Sequence, residues 1–466
     1  MEVEESVATG LPAAPRRASL LRVLGVTFGL AVIVGNTIGV GILRTPGEVA
    51  GQLPDVRLFL GVWVVGGLYA LLGANSVAEL GTRVPRSGGQ YVYARRAFGE
   101  YAGFVVGWSD WVSTCGSVAA VTIAIGEFAR VLFPALPLRA AALAVGVTLL
   151  FTALQWRGIS WGSGAQNLTS LLKALVFVAL VAACFALGGG GSLAGADGGA
   201  AAAGDIATGA TSGGAAAAAG VPLLLAFVVA LQAVIYTYDG WTGVIYFSEE
   251  VLNPARDIPR AMFGGVLSVI AIYLLVNLAL LYVLPLGRMA GNQLAAGAAA
   301  AELFGARGDQ VIHVLAVVAL LSSVNALLLI ATRVPFAMGR DRLFPAGAVR
   351  VNAGGTPTAA LALSALVAVM FVVSGSFNEV IAVLSFFFVA NYAVSFAALF
   401  VLRRREPAAP FRAWGHPWTT ALAFLGSLAF LAGAVYADTR NSLYALAALA
   451  LSYPTYLVVK RLVKKR

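Results

Sequence analysis

The sequence predicts an all-α membrane protein of about twelve transmembrane helices. Three observations carry that expectation. Sixty per cent of the 466 residues are hydrophobic and only 11% are charged, against roughly 25% charged in a soluble domain. Apolar runs of spanning length recur along the chain, and mean hydropathy is +0.87. The 31 Lys and Arg are distributed very unevenly among the connections between those runs. In a soluble protein the net charge of +10 would point to nucleic acid. Here it is a topology signal, and a nucleic-acid partner is excluded.

A spanning helix needs about 20 mostly apolar residues. Runs at 23–43, 58–79, 102–129, 138–156, 167–187, 221–247, 262–285, 311–335, 358–374, 378–402, 419–437 and 441–459 meet that need. With the N-terminus in the cytoplasm, 22 Lys and Arg fall on the inner side, among them Arg83, Arg86, Arg95, Arg96 and Arg403–Arg405. Seven fall outside, and Lys173 and Arg333 lie within spans. That bias predicts a multi-pass protein of the cell (inner) membrane with both termini cytoplasmic. The first run exceeds the roughly 7–15 residues of a signal-peptide core, and no small-residue cleavage site follows. Residues 188–220 are nearly all Gly, Ala, Ser and Thr and predict a flexible outer loop. The expected organisation is a cytoplasmic tail (1–19), helices 1–5 (20–187), that loop, helices 6–10 (221–403), and two peripheral helices with a basic tail (404–466). Cys115 and Cys184 both lie in apolar runs, so no disulfide framework or cysteine metal site is expected. His313 and His416 share no metal-binding or catalytic spacing, and His313 reads as a packed helix residue. Trp63, Trp156, Trp161, Trp414 and Trp418 fall near span ends, where interfacial aromatics belong.

Two spans are unlike the rest. Span 1 contains Gly35-Asn36-Thr37-Ile38-Gly39-Val40-Gly41-Ile42-Leu43, followed by Pro46 and Gly47. Glycine weakens a helix and admits close approach to the backbone. Alone, this run reads first as a small-residue packing face for a neighbouring helix. Span 6 contains Tyr236-Thr237-Tyr238-Asp239-Gly240-Trp241-Thr242-Gly243. A carboxylate at membrane depth costs at least about 2.5–3.5 kcal/mol, and two glycines weaken the helix at the same place. Unwound backbone is tolerated in a membrane only where it is buried or lines a wet cavity. The two interruptions are five spans apart, which divides the chain into two matching halves. That pattern points to a transporter's midplane site. Half-helix N-termini suit a carboxylate, and unwound carbonyls suit an ammonium or a cation. A ligand with both an α-carboxylate and an α-amine fits.

Four stretches, in order, resemble the amino acid–polyamine–organocation (APC) superfamily, and in particular its L-type amino acid transporter branch with bacterial relatives. They are Gly35–Leu43; Ala78-Glu79-Leu80 with Pro85-Arg86-Ser87-Gly88-Gly89-Gln90-Tyr91-Val92-Tyr93; Tyr238-Asp239-Gly240-Trp241 with Glu249-Glu250 and Asn253-Pro254-Ala255-Arg256; and Arg333–Asp341 with Gly355-Thr356-Pro357. The resemblance spans about residues 25–403. It implies a leucine-transporter-type fold, with a 5+5 inverted repeat, broken helices 1 and 6 and two peripheral helices. It also implies secondary transport of amino acids or amines by exchange or proton symport. The implied substrate contacts are Thr37, Ile38, Gly39, Val40 and Gly41 in span 1, and Tyr236, Tyr238, Asp239 and Gly240 in span 6. Val40 stands where many relatives have Ser, which removes a hydroxyl but keeps the backbone N–H. Arg44 adds positive charge near the expected outer mouth. The span 3–4 loop has no Cys, so no disulfide-linked heavy chain is expected.

The resemblance also gives roles to side chains buried in the spans. Lys173 in span 5 sits where sodium-coupled relatives bind an ion, and Ser322, Ser323 and Asn325 in span 8 face the same position. Of these, Lys173, Ser322 and Ser323 are the implied ion-coupling residues, set against a structural tether for Lys173 and helix–helix hydrogen bonding for the span 8 residues. Asp239 reads either as a cap on the helix break or as a contact for a substrate's side-chain cation. Asp110 reads as a paired structural acid or a proton carrier. Glu79, Glu249, Glu250 and Asp257, beside several arginines, are expected in an inner gate network. No HExxH, G-x-S-x-G or nucleotide loop is present, and no enzyme activity, metal or cofactor is expected. The alternatives kept open are a polyamine or organocation carrier, a sodium-coupled symporter and, further off, an amino-acid sensor. The expected partners are an amino acid and membrane lipids.

Overall fold

The computed structural model describes residues 20–135, 137–190, 222–374, 377–437 and 439–464. The expected tail 1–19 and most of the expected outer loop lie outside the described residues. In chain order the α-helices are α1 (Val26–Thr37), α2 (Gly41–Gln52), α3 (Val56–Arg83), α4 (Gln90–Phe98), α5 (Glu100–Leu132), α6 (Ala140–Trp156), α7 (Ile159–Leu187), α8 (Leu223–Thr237), α9 (Pro254–Val283), α10 (Leu286–Met289), α11 (Ala295–Phe304), α12 (Gly308–Arg340), α13 (Thr358–Ser374), α14 (Phe377–Arg405), α15 (Trp418–Ala437) and α16 (Thr439–Lys464). A 3-10 turn, Gly243–Phe247, follows α8.

Among the described residues, eight helical stretches are long and apolar enough to cross a membrane. The pair α1 and α2 forms a further span bent by 47°, and α6, α8 and α13 are shorter apolar helices. These elements coincide with the twelve expected runs, and the differences are local. Span 1 continues to Gln52 rather than stopping near residue 43, because Pro46, Gly47 and Glu48 lower its hydropathy without ending the helix. Span 6 stops being α-helical at Thr237, ten residues before its apolar run ends. The short helices α4, α10 and α11 lie between spans.

Local chemistry sets the boundaries. The Asp55 carboxylate accepts from the Arg57 and Leu58 N–H groups at 2.8 and 3.0 Å, capping α3. Pro254 opens α9, where its missing N–H costs nothing. α5 and α12 pack along much of their length, and α9 packs against α1 and α3. Trp63 is fully buried against Tyr238 and Tyr273, which corrects its expected interfacial place. α3 begins at Val56, so Trp63 lies two turns inside it. Trp156, Trp161, Trp414 and Trp418 are exposed.

Charges gather at one end of the bundle. Glu249 pairs with Arg340 at 2.5 Å and Arg86 at 3.9 Å. Asp341 accepts from Arg86, Arg95 and the Tyr91 hydroxyl at 3.4, 3.2 and 3.0 Å. Glu79, fully buried, accepts from Arg83, from Arg403 twice and from the Ala413 N–H at 2.6–2.9 Å. Arg333 grips Glu250 with both ends of its fork, at 3.0 and 2.8 Å, and neither side chain is more than 1% exposed. Asp257 departs from the expected network. Its carboxylate accepts from the Asn253 N–H at the head of its own helix, at 3.3 Å.

Candidate functional site

The two interruptions lie against each other. After α1 ends at Thr37, Ile38 is extended (φ −78, ψ 107), and the helix restarts at Gly41. The Leu43 and Arg44 N–H groups bond back to the Val40 carbonyl at 3.0 and 3.2 Å. The N–H groups of Val40 and Gly41 come before any intrahelical acceptor, and among the described residues they are left free at the head of α2. In span 6 the chain leaves α8 at Thr237 and turns at Gly240, whose φ is +111. A Cβ there would sit 2.9 Å from Asn36 C and Thr37 N, so glycine lets the two broken backbones touch. Asn36 Nδ2 donates across the gap to the Gly240 carbonyl at 3.2 Å. The Tyr273 hydroxyl lies 2.9 Å from the carbonyls of both Thr37 and Thr237, at the two helix ends. On the far side of the breaks, the Thr45 and Thr237 hydroxyls meet at 2.7 Å and join α2 to α8.

A cavity of about 740 Å³ opens between the breaks, α5 and α12. That is within the roughly 300–1,000 Å³ of small-molecule pockets. Exposed Arg44, Glu48 and Glu127 stand on its wall, and they mark the mouth. From there α5 leads inward through Val121 and Ala120 to Ser117 and Thr114. Val121, Val40, Leu320 and Leu327 make the middle of the cavity apolar. Deeper, Gln90 and Tyr246 line the wall, near the ion-paired end of the bundle. Thr37 lines the wall, and its hydroxyl is buried with no partner among the described residues. The free N–H groups of α2 and this hydroxyl are suited to a carboxylate. The carbonyl ends of α1 and α8 are suited to an ammonium.

The amino acid permease family profile matches residues 19–454, nearly the whole chain. The chain belongs to that family, within the APC superfamily. As an amino acid permease it is a multi-pass membrane protein, and its relatives are transporters and not enzymes. It is 26% identical to the serine/threonine exchanger SteT of Bacillus subtilis, over 91% of this chain and 93% of that protein. It is 27% identical to the human b(0,+)-type amino acid transporter 1, over 85% of this chain and 80% of that one. It is 26% identical to the mouse Asc-type amino acid transporter 1, over 85% and 73%.

In this permease the candidate residues do not all reach the cavity. Thr37, Gly39, Val40, Gly41, Tyr236, Asp239 and Gly240 line it. Ile38 and Tyr238, expected beside them, are not among its lining residues. Ile38 is fully buried in the core. Tyr238 turns away to donate to the Trp63 carbonyl at 3.2 Å and packs on Tyr273. Asp239 accepts from the Tyr392 hydroxyl while staying on the cavity wall.

Lys173 is fully buried behind the first break. Its ammonium donates to the carbonyls of Gly35 and Ile38 at 2.8 and 2.5 Å, and to Ser323 Oγ at 3.1 Å. Ser323 also bonds Gly35 O at 2.9 Å. Ser322 is turned elsewhere, to Ser170 and Gln166 at 2.9 and 3.2 Å. Asn325 joins Gln155 and Gln166. Asp110 accepts from the Tyr246 hydroxyl, 2.9 Å from both carboxylate oxygens. His313 packs on Phe128, with ring centroids 5.2 Å apart. Asn36, Gln90, Thr45, Tyr246, Tyr273 and Tyr392 were not among the residues anticipated from sequence. All are ordinary polar or aromatic residues whose place depends on how the spans pack.

Proposed function

We propose that this permease is a secondary active transporter that carries amino acids across the cell membrane by alternating access, as an exchanger or a proton symporter. The observation that carries the reading is the meeting of both helix breaks on one cavity. The substrate's α-carboxylate binds the N–H groups of Val40 and Gly41 and the Thr37 hydroxyl, and its α-amine faces the carbonyl ends of α1 and α8. The halves 20–187 and 221–403 act as two related repeats around this site, with both termini in the cytoplasm. The described conformation is then open to the outside and latched inside by the ion pairs of Glu249 and Asp341. The latch residues Arg86, Arg95 and Arg340 belong to the cationic inner side required by the positive-inside rule. Lys173 holds the first break in the place of a bound cation, with Ser323 as its partner.

Relatives named for exchange of serine and threonine, and for amino acid transport more broadly, support the substrate class. Proteoliposomes containing the full chain should take up radiolabelled amino acids, tested as a panel with and without a pH gradient, Na⁺ or internal amino acid. Amino acid methyl esters should compete poorly. If the esters compete as well as the free acids, the carboxylate site at α2 is wrong and an amine without a carboxylate becomes the substrate.

A further inference from the structure

The mechanism above leaves the floor of the cavity unused, and Gln90 stands there. It opens α4 directly after Gly88 and Gly89, at φ +122 and +62. The Gly88 N–H donates to the Tyr246 carbonyl at 3.2 Å, and Gly89 lies so close to the Tyr246 ring that no Cβ would fit. Gln90 is thereby fixed against the wall. It is 2% exposed, and its side-chain carbonyl is buried with no partner among the described residues. The polar neighbours do not satisfy it. The Tyr246 hydroxyl is committed to Asp110 at 2.9 Å, and the Thr114 hydroxyl to the Asp110 carbonyl at 2.7 Å. Ser117, one turn nearer the mouth, also lines the cavity.

A buried amide left unpaired is costly, and an occupant that pairs with it recovers that cost. We infer that Gln90 is the specificity-determining residue for the substrate's side chain, and that it selects neutral amino acids bearing a hydroxyl or carboxamide. This rests on the amino acid site proposed above. With the substrate's backbone held at the two breaks, its side chain has two directions. The middle of the cavity offers Val40, Val121 and Leu327, which bring apolar surface and no hydrogen bond. The floor offers an acceptor and a donor on one rigid side chain. A hydroxyl donates to the Gln90 carbonyl, and a carboxamide pairs with both ends of the amide.

Near-isosteric pairs test this. Proteoliposomes with the full chain are assayed for uptake of radiolabelled L-threonine against L-valine, and L-glutamine against L-methionine. The wild type should favour the polar member of each pair by about tenfold or more, the worth of a hydrogen bond whose loss strands a buried group. Gln90→Met, of similar volume, should bring both ratios close to unity. Gln90→Glu keeps acceptor oxygens but loses the donor, so it should keep the preference for threonine and weaken that for glutamine, whose carboxamide N–H still finds an acceptor. It decides the matter if Gln90→Met fails to reach the membrane. Equal uptake within each wild-type pair overturns the inference, as do wild-type ratios in Gln90→Met, and the transport reading stands in both cases. Absence of uptake of any amino acid by the wild type overturns the transport reading itself.

Discussion

Replacing Lys173 by Met keeps an unbranched side chain, one atom shorter, and removes its charge. The ammonium holds three groups, and their fates differ. Ser323 and the Gly35 carbonyl keep each other at 2.9 Å. The Ile38 carbonyl loses the donor that held it at 2.5 Å and has no other among the described residues. One orphaned buried carbonyl costs about 1–3 kcal/mol. No carboxylate pairs with Lys173 among the described residues, so no opposite charge is stranded. The roughly 3–5 kcal/mol that follows rupture of a buried ion pair is therefore not incurred. The variant should fold and reach the membrane with a modest loss of thermal stability. If the whole loss falls on the arrangement of α1 that binds substrate, affinity drops about 5- to 150-fold. Two measurements are needed, the thermal unfolding of the detergent-purified protein and uptake into proteoliposomes. Wild-type uptake by Lys173→Met would refute the reasoning, since the ammonium would then do nothing for the break it touches.

Two further outcomes follow from particular contacts. Glu250→Gln strands the guanidinium of Arg333, which is 1% exposed, and should destabilise the protein by roughly 3–5 kcal/mol; the double change with Arg333→Met should be milder, and an unchanged unfolding temperature in the single variant would count against the pair. Gly240→Ala forces a Cβ to within 2.9 Å of the Asn36 and Thr37 backbone at a φ of +111, so uptake should fall at least about tenfold although the protein is inserted; normal transport would mean that the two breaks need not touch.

The spans were readable from the sequence because hydropathy acts over 20 residues at a time and does not depend on partners. The same averaging hid the end of α2, where Pro46 and Glu48 sit in a continuing helix. It also hid α4, α10 and α11, which are too short to register. The breaks were readable because Gly39, Gly41 and Gly240 are poor helix formers at positions where a membrane span needs a helix. Which face each neighbouring side chain takes was not readable. Tyr238 and Ile38 stand within the signature runs yet point into the core. Gln90 lies in a connection and comes to the cavity only because Gly88 and Gly89 let the chain pack closely on Tyr246. The Arg333–Glu250 pair joins residues 83 positions apart, and no local pattern links them.

The hydroxyl pair of Thr45 and Thr237 yokes the mouth-side portion of the first rod to that of the sixth. The yoke is made of two neutral groups, so neither salt nor acidity loosens it, unlike the charged clasp at the opposite end. If these struts swing during transport as proposed, this contact, worth about 0.5–1.5 kcal/mol, favours their moving together as a single leaf.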